Sequence, residues 1–166
     1  MARPFFSDPL HRHDIAPITD GASIVVLAAD DRARELRERP AWITGFEHRI
    51  ETPVIGARDL ITSPSTAASA ALATGGDTGS IDVAEIYAAF SHQQLILTEA
   101  IGLKASTKIN PSGGALAANP MFSTGLERIG YAARHIFDGS AQRVLAHATS
   151  GPVLQQNLVA VLEGKS

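Results

Sequence analysis

The 166-residue chain contains no cysteine. It therefore forms no disulfide bond, offers no thiolate to a metal ion and has no thiol nucleophile for covalent catalysis. The absence leaves the redox compartment open, since it excludes disulfides without indicating where the protein resides.

Excess positive charge and long apolar runs are also missing. The net charge is -3 and the pI is about 6.0, so the chain has no electrostatic footprint for nucleic acid or an anionic membrane. The first ten residues, MARPFFSDPL, hold one Arg and no continuous apolar run, unlike a secretory signal or a membrane anchor. We therefore expect a cytoplasmic protein that binds neither nucleic acid nor membrane.

Several motifs for cofactors and for hydrolysis are absent. The chain has no G-x-x-x-x-G-K, no G-x-G-x-x-G after a strand and no G-x-S-x-G, which argues against ATP, a dinucleotide and a serine hydrolase. His11 and His13 form a His-x-His pair, but no carboxylate or third His has a convincing spacing for a metal. We predict no metal and no resident cofactor.

Strand patterns alternate with helical patterns along the chain. Apolar runs predict strands at 22–28, 42–50, 83–89, 143–149 and 154–162, and helical periodicity predicts helices at 30–39, 63–73, 93–101 and 123–137. Hydrophobic residues make up 45% of the chain and charged residues 19%, which is enough apolar material for one core. The pattern predicts one soluble α/β domain, a mixed sheet covered by helices.

The segment KINPSGGALAANPMFSTGLERI, residues 108–129, has the composition of a ligand-binding loop. Gly113 and Gly114 let the main chain approach a ligand closely, and Pro111 and Pro120 stiffen the entry and exit. The helix predicted after it would direct its N-terminal amides towards the loop, where they favour negative charge. We expect Ser112, Gly113 and Gly114 to bind substrate.

This loop resembles the Asn-Pro-x-Gly-Gly, Gly-His-Pro and Gly-Ala-Thr-Gly series near the C-terminus of thiolases. Residues 81–103 resemble the thiolase strand and turn that carry an Asn-Glu-Ala-Phe or His-Asp-Cys-Phe box, and 145–163 resemble the last hairpin. Residues 9–28 are similar to the piece that ends the thiolase N-terminal half. The resemblance implies one thiolase half, a five-stranded mixed sheet with helices on its faces. Residues 1–40 would be a remnant of the N-terminal half, and 41–166 the C-terminal-like domain.

The standard thiolase machinery is missing or replaced. The resemblance places the nucleophilic Cys in the other half, and the second Cys would fall near Ala148 to Ser150. The histidine of Gly-His-Pro would fall at Asn119. The polar residue of the Asn-Glu-Ala-Phe box would fall at Tyr87, where thiolase-like enzymes of steroid side-chain breakdown also carry Tyr. Those enzymes cleave β-hydroxyacyl-CoA by retro-aldol chemistry without a Cys nucleophile.

Tyr87 is the leading catalytic candidate that the resemblance implies. A phenol with an ordinary pKa near 10 is protonated at neutral pH and can donate a hydrogen bond to a thioester carbonyl. The alternative is a core Tyr whose hydroxyl bonds to the backbone.

Three further polar residues are candidates with structural alternatives. Asn119 could donate through its amide, although Asn before Pro commonly starts a turn. His147 stands where lipid-transfer-associated thiolases also have a His, and it could polarise a carbonyl or move a proton; an isolated His is more often structural. His92 would line the pocket rim or cap a helix.

The apolar run at 22–28 would lack its neighbouring strands if the resemblance holds, because they belong to the other half. It would then pair with another polypeptide, join an edge of this chain's sheet, self-associate, or be covered by the helix at 30–39.

Two kinds of function follow. The resemblance implies a thiolase-like subunit that would act on acyl-CoA thioesters, by C–C bond cleavage or acyl transfer, with a partner supplying the N-terminal half or as a homo-oligomer. The alternative is a non-catalytic acyl-binding or complex-stabilising module, or a retro-aldolase subunit of steroid or lipid side-chain degradation. Coenzyme A enters only as part of the substrate.

Overall fold

Five helices and five strands make up the part of the chain that the structure, a computed structural model, describes: residues 6–164. In chain order they are α1 Asp30–Leu36, β1 Trp42–Ile50, α2 Pro64–Ala73, β2 Val83–Ile86, α3 Ser91–Ile101, β3 Lys108–Ile109, α4 Gly114–Ala117, α5 Thr124–Phe137, β4 Arg143–Ser150 and β5 Gln156–Glu163. Residues 1–5, which enter the N-terminal sequence argument, and 165–166 lie outside the described range.

The strands form one mixed sheet in the order β1-β5-β4-β2-β3. β2 runs parallel to β3 and β4, while β5 runs antiparallel to β4 and β1. The parallel strands are joined through α3 and α5, as crossover connections require. This confirms the predicted α/β fold with a five-stranded mixed sheet.

Each face of the sheet contributes to its own apolar core. On one face Ala84, Ile86, Leu145, Val159 and Val161 pack with side chains of α2 and α3. On the other face Val83, Val144, Ala146, Ala160 and Leu162 pack with Ala132 and Ile136 of α5. Two helices therefore cover one face, and α5 covers the other.

Most predicted elements are confirmed, with shifted ends. α3 begins at Ser91 and ends where Gly102 adopts a left-handed conformation (φ 74°), the helix stop that Gly favours. β2 ends at Ile86 rather than Ala89. β5 begins at Gln156 because Val153 and Leu154 have positive φ angles of 51° and 56°, which form the turn after β4.

The strand predicted at 22–28 is wrong for this chain. None of these residues belongs to a strand, and none makes a backbone hydrogen bond within residues 6–164. Ile24, Val26 and Leu27 are 91%, 84% and 77% exposed. The physical reason is that an apolar run becomes a buried strand only where a neighbouring strand offers its hydrogen-bonding edge, and no strand of the described chain does so here.

Candidate active site

Tyr87 lies just beyond the carboxyl end of β2, where open α/β sheets commonly bind ligands. Its backbone N–H donates to the carbonyl oxygen of His147 at 3.1 Å, which continues the β2–β4 pairing by one residue. Its side chain is buried against Ala16 and Ala115, with 9% exposure. Within residues 6–164 the hydroxyl has no hydrogen-bond partner, yet it is not sealed from solvent. The hydroxyl is therefore available to a ligand.

Residues 15–19 run between Tyr87 and Asn119 and link their loops. Ala16 N–H donates to the Ala89 carbonyl at 2.8 Å, and Thr19 N–H donates to the Asn119 carbonyl at 3.2 Å. Asp14, just before this segment, accepts a hydrogen bond from the Ser91 hydroxyl at 2.8 Å. Hydrogen bonds from the backbone amide of His11 and, to a smaller extent, from the Ser91 hydroxyl hold the pKa of the Asp14 carboxyl below its usual value.

Asn119 is buried and its amide orientation is set by Thr124. The Thr124 hydroxyl donates to Asn119 Oδ1 at 2.9 Å, which identifies Oδ1 as the acceptor. The Nδ2 group has no hydrogen-bond partner within residues 6–164 and is not sealed from solvent. The contact ties Asn119 to the first residue of α5 and leaves an amide donor for a ligand.

The Gly-Gly loop uses its own amides internally. Gly113 N–H donates to the Asn110 carbonyl at 2.9 Å, and Gly114 N–H donates to Ser112 Oγ at 3.2 Å. Asn110, at φ 48°, accepts from Ile86 N–H at 2.6 Å and donates to Gln94 at 2.8 Å. In this conformation the loop positions Ala115 beside Tyr87, and neither glycine amide points at an open site.

A buried ion pair beneath this loop is the feature that the sequence interpretation missed. Glu85, in the middle of β2, is fully buried, and Arg128 of α5 lies 3.2 Å from it. The Glu85 carboxylate accepts hydrogen bonds from both the amide and the hydroxyl of Ser112, at 3.2 and 2.5 Å. Arg128 also donates to the Ser112 hydroxyl at 3.0 Å. An acidic residue inside the apolar run IDVAEIY was the sequence signal for this pair.

In this conformation Ser112 connects the Gly-Gly loop to β2 and α5. Its hydroxyl donates to Glu85 and accepts from Arg128 and Gly114, so it has no capacity left for substrate. His135 Nε2 lies 3.5 Å from the other Glu85 oxygen and completes the cluster from α5. The predicted substrate roles of Ser112, Gly113 and Gly114 stay predictions.

His147 of β4 points into the layer of α2, away from the Glu85 cluster. It is fully buried, and its Nε2 lies 3.0 Å from Asn157 Oδ1. Asn157 Nδ2 donates to Ser65 and to the Leu154 carbonyl, so Oδ1 is an acceptor and His147 carries its proton on Nε2. Nδ1 is buried without a partner in the described chain. Burial lowers the pKa of His147 to about 4, against the smaller raising effect of Asn157.

His92 lies at the exposed start of α3. Its ring is 5.6 Å from the Phe90 ring, tilted by 35°. No hydrogen bond or ring contact within residues 6–164 joins it to Tyr87 or Asn119, and its rim role stays a prediction. The described residues include no group of three His, Asp or Glu side chains that could hold a metal ion.

An uncovered apolar surface lies beside α5. A cavity of about 650 Å³ separates α5 from residues 22–27, which we call the strap, and from the start of β1. Apolar side chains that line it include Ile24, Val26, Ile43, Leu126, Ile129 and Phe137. Gly130 lies in the same stretch of α5, and a Cβ built on it would meet nothing within 4 Å. The strap rests loosely over this surface rather than packing into it.

The sheet order, the loop after β3 and the position of Tyr87 define a class, an open α/β domain with a candidate ligand-binding site at the carboxyl ends of its parallel strands. The chain matches the family model "Thiolase, C-terminal domain" over residues 46–152. The chain belongs to the thiolase family and corresponds to its C-terminal domain.

Individual relatives carry names consistent with this family. The chain is 28% identical to an acetyl-CoA acetyltransferase of Methanothermobacter thermautotrophicus, across 76% of this chain and 39% of that protein. It is 32% identical to a 3-ketoacyl-CoA thiolase of Vibrio cholerae, across 68% and 30% of the two chains. It is 35% identical to an acetyl-CoA acetyltransferase of Saccharomyces cerevisiae, across 61% and 25%. The chain spans well under half the length of these relatives. No helix within residues 6–164 has the length and apolar character needed to cross a membrane.

Proposed function

We propose that this chain is the C-terminal half of a thiolase-type enzyme that acts on acyl-CoA thioesters in the cytoplasm, together with a partner polypeptide that supplies the N-terminal half. The proposal is supported above all by the family match over 46–152 combined with the uncovered surface of α5 and the strap. A helical layer of a partner would fill the cavity, and a strand of its sheet would pair with residues 22–28.

The Tyr87 hydroxyl and the Asn119 amide are the proposed donors to the thioester or enolate oxygen. Both groups have donors without partners in the described chain, and residues 15–19 connect their loops. Such donors stabilise developing negative charge in a site from which water is excluded. The chemistry needs no resident cofactor, and coenzyme A takes part as the substrate's carrier.

His147 is assigned an indirect role in this proposal. A neutral imidazole with its only proton held by Asn157 is a poor proton donor, and its side chain does not share the surroundings of Tyr87. We therefore assign the chemistry to Tyr87 and Asn119, and we assign His147 a structural role through its side-chain hydrogen bond from β4 to Asn157 of β5. The absence of cysteine from this chain favours a retro-aldol variant of this function, which would need no Cys of this half.

A second candidate function is a non-catalytic module that binds an acyl group or stabilises an enzyme complex. The specific observation in its favour is that the Gly113 and Gly114 amides and the Ser112 hydroxyl are all engaged internally.

The first test is assembly. The chain is co-expressed with a polypeptide that carries a thiolase N-terminal half, preferably one encoded beside it. Hydrogen exchange at residues 22–28 is then compared with that of the chain alone. We expect rapid exchange alone and strong protection in the complex, because unpaired amides exchange freely and ladder amides do not. Absence of a complex, or a complex with unprotected 22–28, would contradict the partner assignment. Turnover of an acyl-CoA by the complex, rather than binding of acetyl-CoA, separates the enzyme from the non-catalytic module, because that module would also bind an acyl group.

A further inference from the structure

β1 is a long edge strand with one side of its backbone unpaired. It spans nine residues and, within residues 6–164, pairs only with β5, whereas the opposite edge of the sheet, β3, has two residues. No backbone hydrogen bond on the outer side of β1 occurs within residues 6–164. Such an edge is a template for another strand.

The side chains of β1 do little to block such pairing. There is no Pro or Lys in the strand, and Phe46 and Ile50 are 54% and 59% exposed. The two charged residues, Glu47 and Arg49, have opposite signs and lie 2.8 Å apart. Natural edge strands are commonly protected by charged side chains, proline or bulges. In β1 the two charges neutralise each other, and the bulge between Ile43 and Gly45 lies at the start of the strand, outside residues 46–50.

The register with β5 fixes which side chains share a face. Phe46 and His48 lie opposite Ala160 and Leu158, which belong to the α5 side of the sheet. Glu47 lies opposite Val159, which belongs to the α2 and α3 side. Because side chains alternate along a strand, Ile50 joins Phe46 and His48, and Arg49 joins Glu47. A bulge between Ile43 and Gly45 ends this alternation at the start of the strand.

We propose that β1 pairs antiparallel with β1 of a second copy of this chain, with His48 on the two-fold axis. This register places Glu47 opposite Arg49 of the second copy twice, and Phe46 opposite Ile50 twice. A pairing centred on Glu47 or on Arg49 sets like charges opposite each other, which destabilises a sheet. A pairing centred on Phe46 carries the contact across the bulge. The two five-stranded sheets then form one continuous sheet, an isologous dimer.

Charge reversal tests the register. Sedimentation velocity is measured for the full chain and for Glu47→Arg, Arg49→Glu and the double variant Glu47→Arg/Arg49→Glu. Each single variant is expected to weaken dimerisation about 10- to 100-fold, since two attractive pairs become repulsive, and the double variant to restore it. A wild-type monomer at high concentration, single variants that dimerise like wild type, or a double variant that stays monomeric would each overturn the proposal.

A cross-link tests the axis independently. The chain has no cysteine, so His48→Cys introduces a single thiol. Directly opposite residues of paired strands have Cα atoms about 4.5–5.5 Å apart, within reach of a disulfide. We expect covalent dimer from His48→Cys after mild oxidation and none from Leu95→Cys, an exposed position on α3. Equal cross-linking of the two variants would contradict the interface.

A further variant distinguishes a dimer interface at the edge of β1 from one at the strap, because either surface could drive self-association. Ile24→Asp/Val26→Asp places charges on the strap and leaves β1 intact. The dimer should persist in this variant. If it dissociates, the interface lies at the strap and the β1 assignment is wrong.

Discussion

The peptide groups of Tyr87 and His147 are joined by a hydrogen bond, but their side chains enter different surroundings. Tyr87 packs with Ala16 and Ala115 near the Gly-Gly loop, while His147 is enclosed with Asn157 in the layer of α2. Two residues that a sequence comparison places in one site are therefore separated by the sheet itself. Because of this separation, the Tyr87 hydroxyl is available to bind a ligand, whereas the His147 side chain is suited to a structural role.

Tyr87→Phe removes the proposed donor and keeps the ring. In the two-chain enzyme we expect kcat to fall about 100- to 1,000-fold, the usual result of deleting one oxyanion donor, with little change in thermal stability. Tyr131→Phe is the control for loss of a tyrosine hydroxyl elsewhere, on α5 beside Arg128 and Arg134. Because Tyr131 lines the cavity assigned to the partner, sedimentation verifies that each variant forms the complex. If Tyr87→Phe keeps wild-type kcat and loses stability, the hydroxyl is structural.

The lowered pKa of His147 should make the stability of the fold depend on pH. Its pKa of about 4 in the folded state lies below the ordinary 6.5 expected for the unfolded chain. Between these values only the unfolded state takes up the proton, so the free energy of unfolding falls as pH falls, by about 1.4 kcal/mol per pH unit at most. Above pH 6.5 the residue contributes no pH dependence.

Urea unfolding at pH 7, 6 and 5 measures this effect. His147→Gln removes the titrating group and should flatten the curve over this range, even if it lowers stability overall. The same slope in both proteins would show that His147 is not the responsible group.

At the scale of elements, two glycines report opposite packing environments. A Cβ on Gly45 of β1 would lie 1.9 Å from the carbonyl oxygen of Ala73, at the end of α2. A Cβ on Gly130 of α5 meets nothing. The first glycine permits close contact between helix and strand, while the second leaves a gap on the surface assigned to the partner.

The two alanine variants should therefore shift stability in opposite directions. Gly45→Ala is expected to cost at least about 3 kcal/mol or to prevent folding, because backbone atoms cannot yield. Gly130→Ala should stabilise the isolated chain by about 1 kcal/mol, the helix preference of Ala over Gly. Thermal unfolding of both variants decides the matter, and stabilisation by Gly45→Ala would refute the packing described.

The Glu85–Arg128 pair joins β2, α5 and the Gly-Gly loop. Arg128→Met should destabilise the chain by about 3–5 kcal/mol, because it leaves the buried Glu85 carboxylate without its cation. Glu85→Gln/Arg128→Met should recover much of that loss. Chemical denaturation of the two variants is the measurement, and an Arg128→Met protein as stable as wild type would show that the pair has no structural role.

At the scale of the molecule, the sequence predicted what depends on local pattern and failed where a residue depends on a distant partner. Alternation in WITGFEHRI and the stop at Gly102 are local signals, and both elements formed as predicted. The run at 22–28 carries the same apolar signal but lacks a neighbouring strand. The orientation of His147 and the Glu85–Arg128 contact depend on β4 and α5, which are far away in the sequence.

The central claim is that this chain supplies half of an acyl-CoA site, and turnover measures it most directly. Cleavage of the Cα–Cβ bond is followed for acetoacetyl-CoA in the presence of free CoA, which takes up the released acyl group, and for a β-hydroxyacyl-CoA, which would release a carbonyl compound and a shorter acyl-CoA. Both reactions are measured with the chain alone and with the chain co-purified with its N-terminal partner. The account predicts no turnover and no covalent acyl adduct by the chain alone, because it has no cysteine, and turnover of one of these thioesters by the complex. An acyl adduct or turnover on the isolated chain, or a stable complex that cleaves neither thioester, would contradict it.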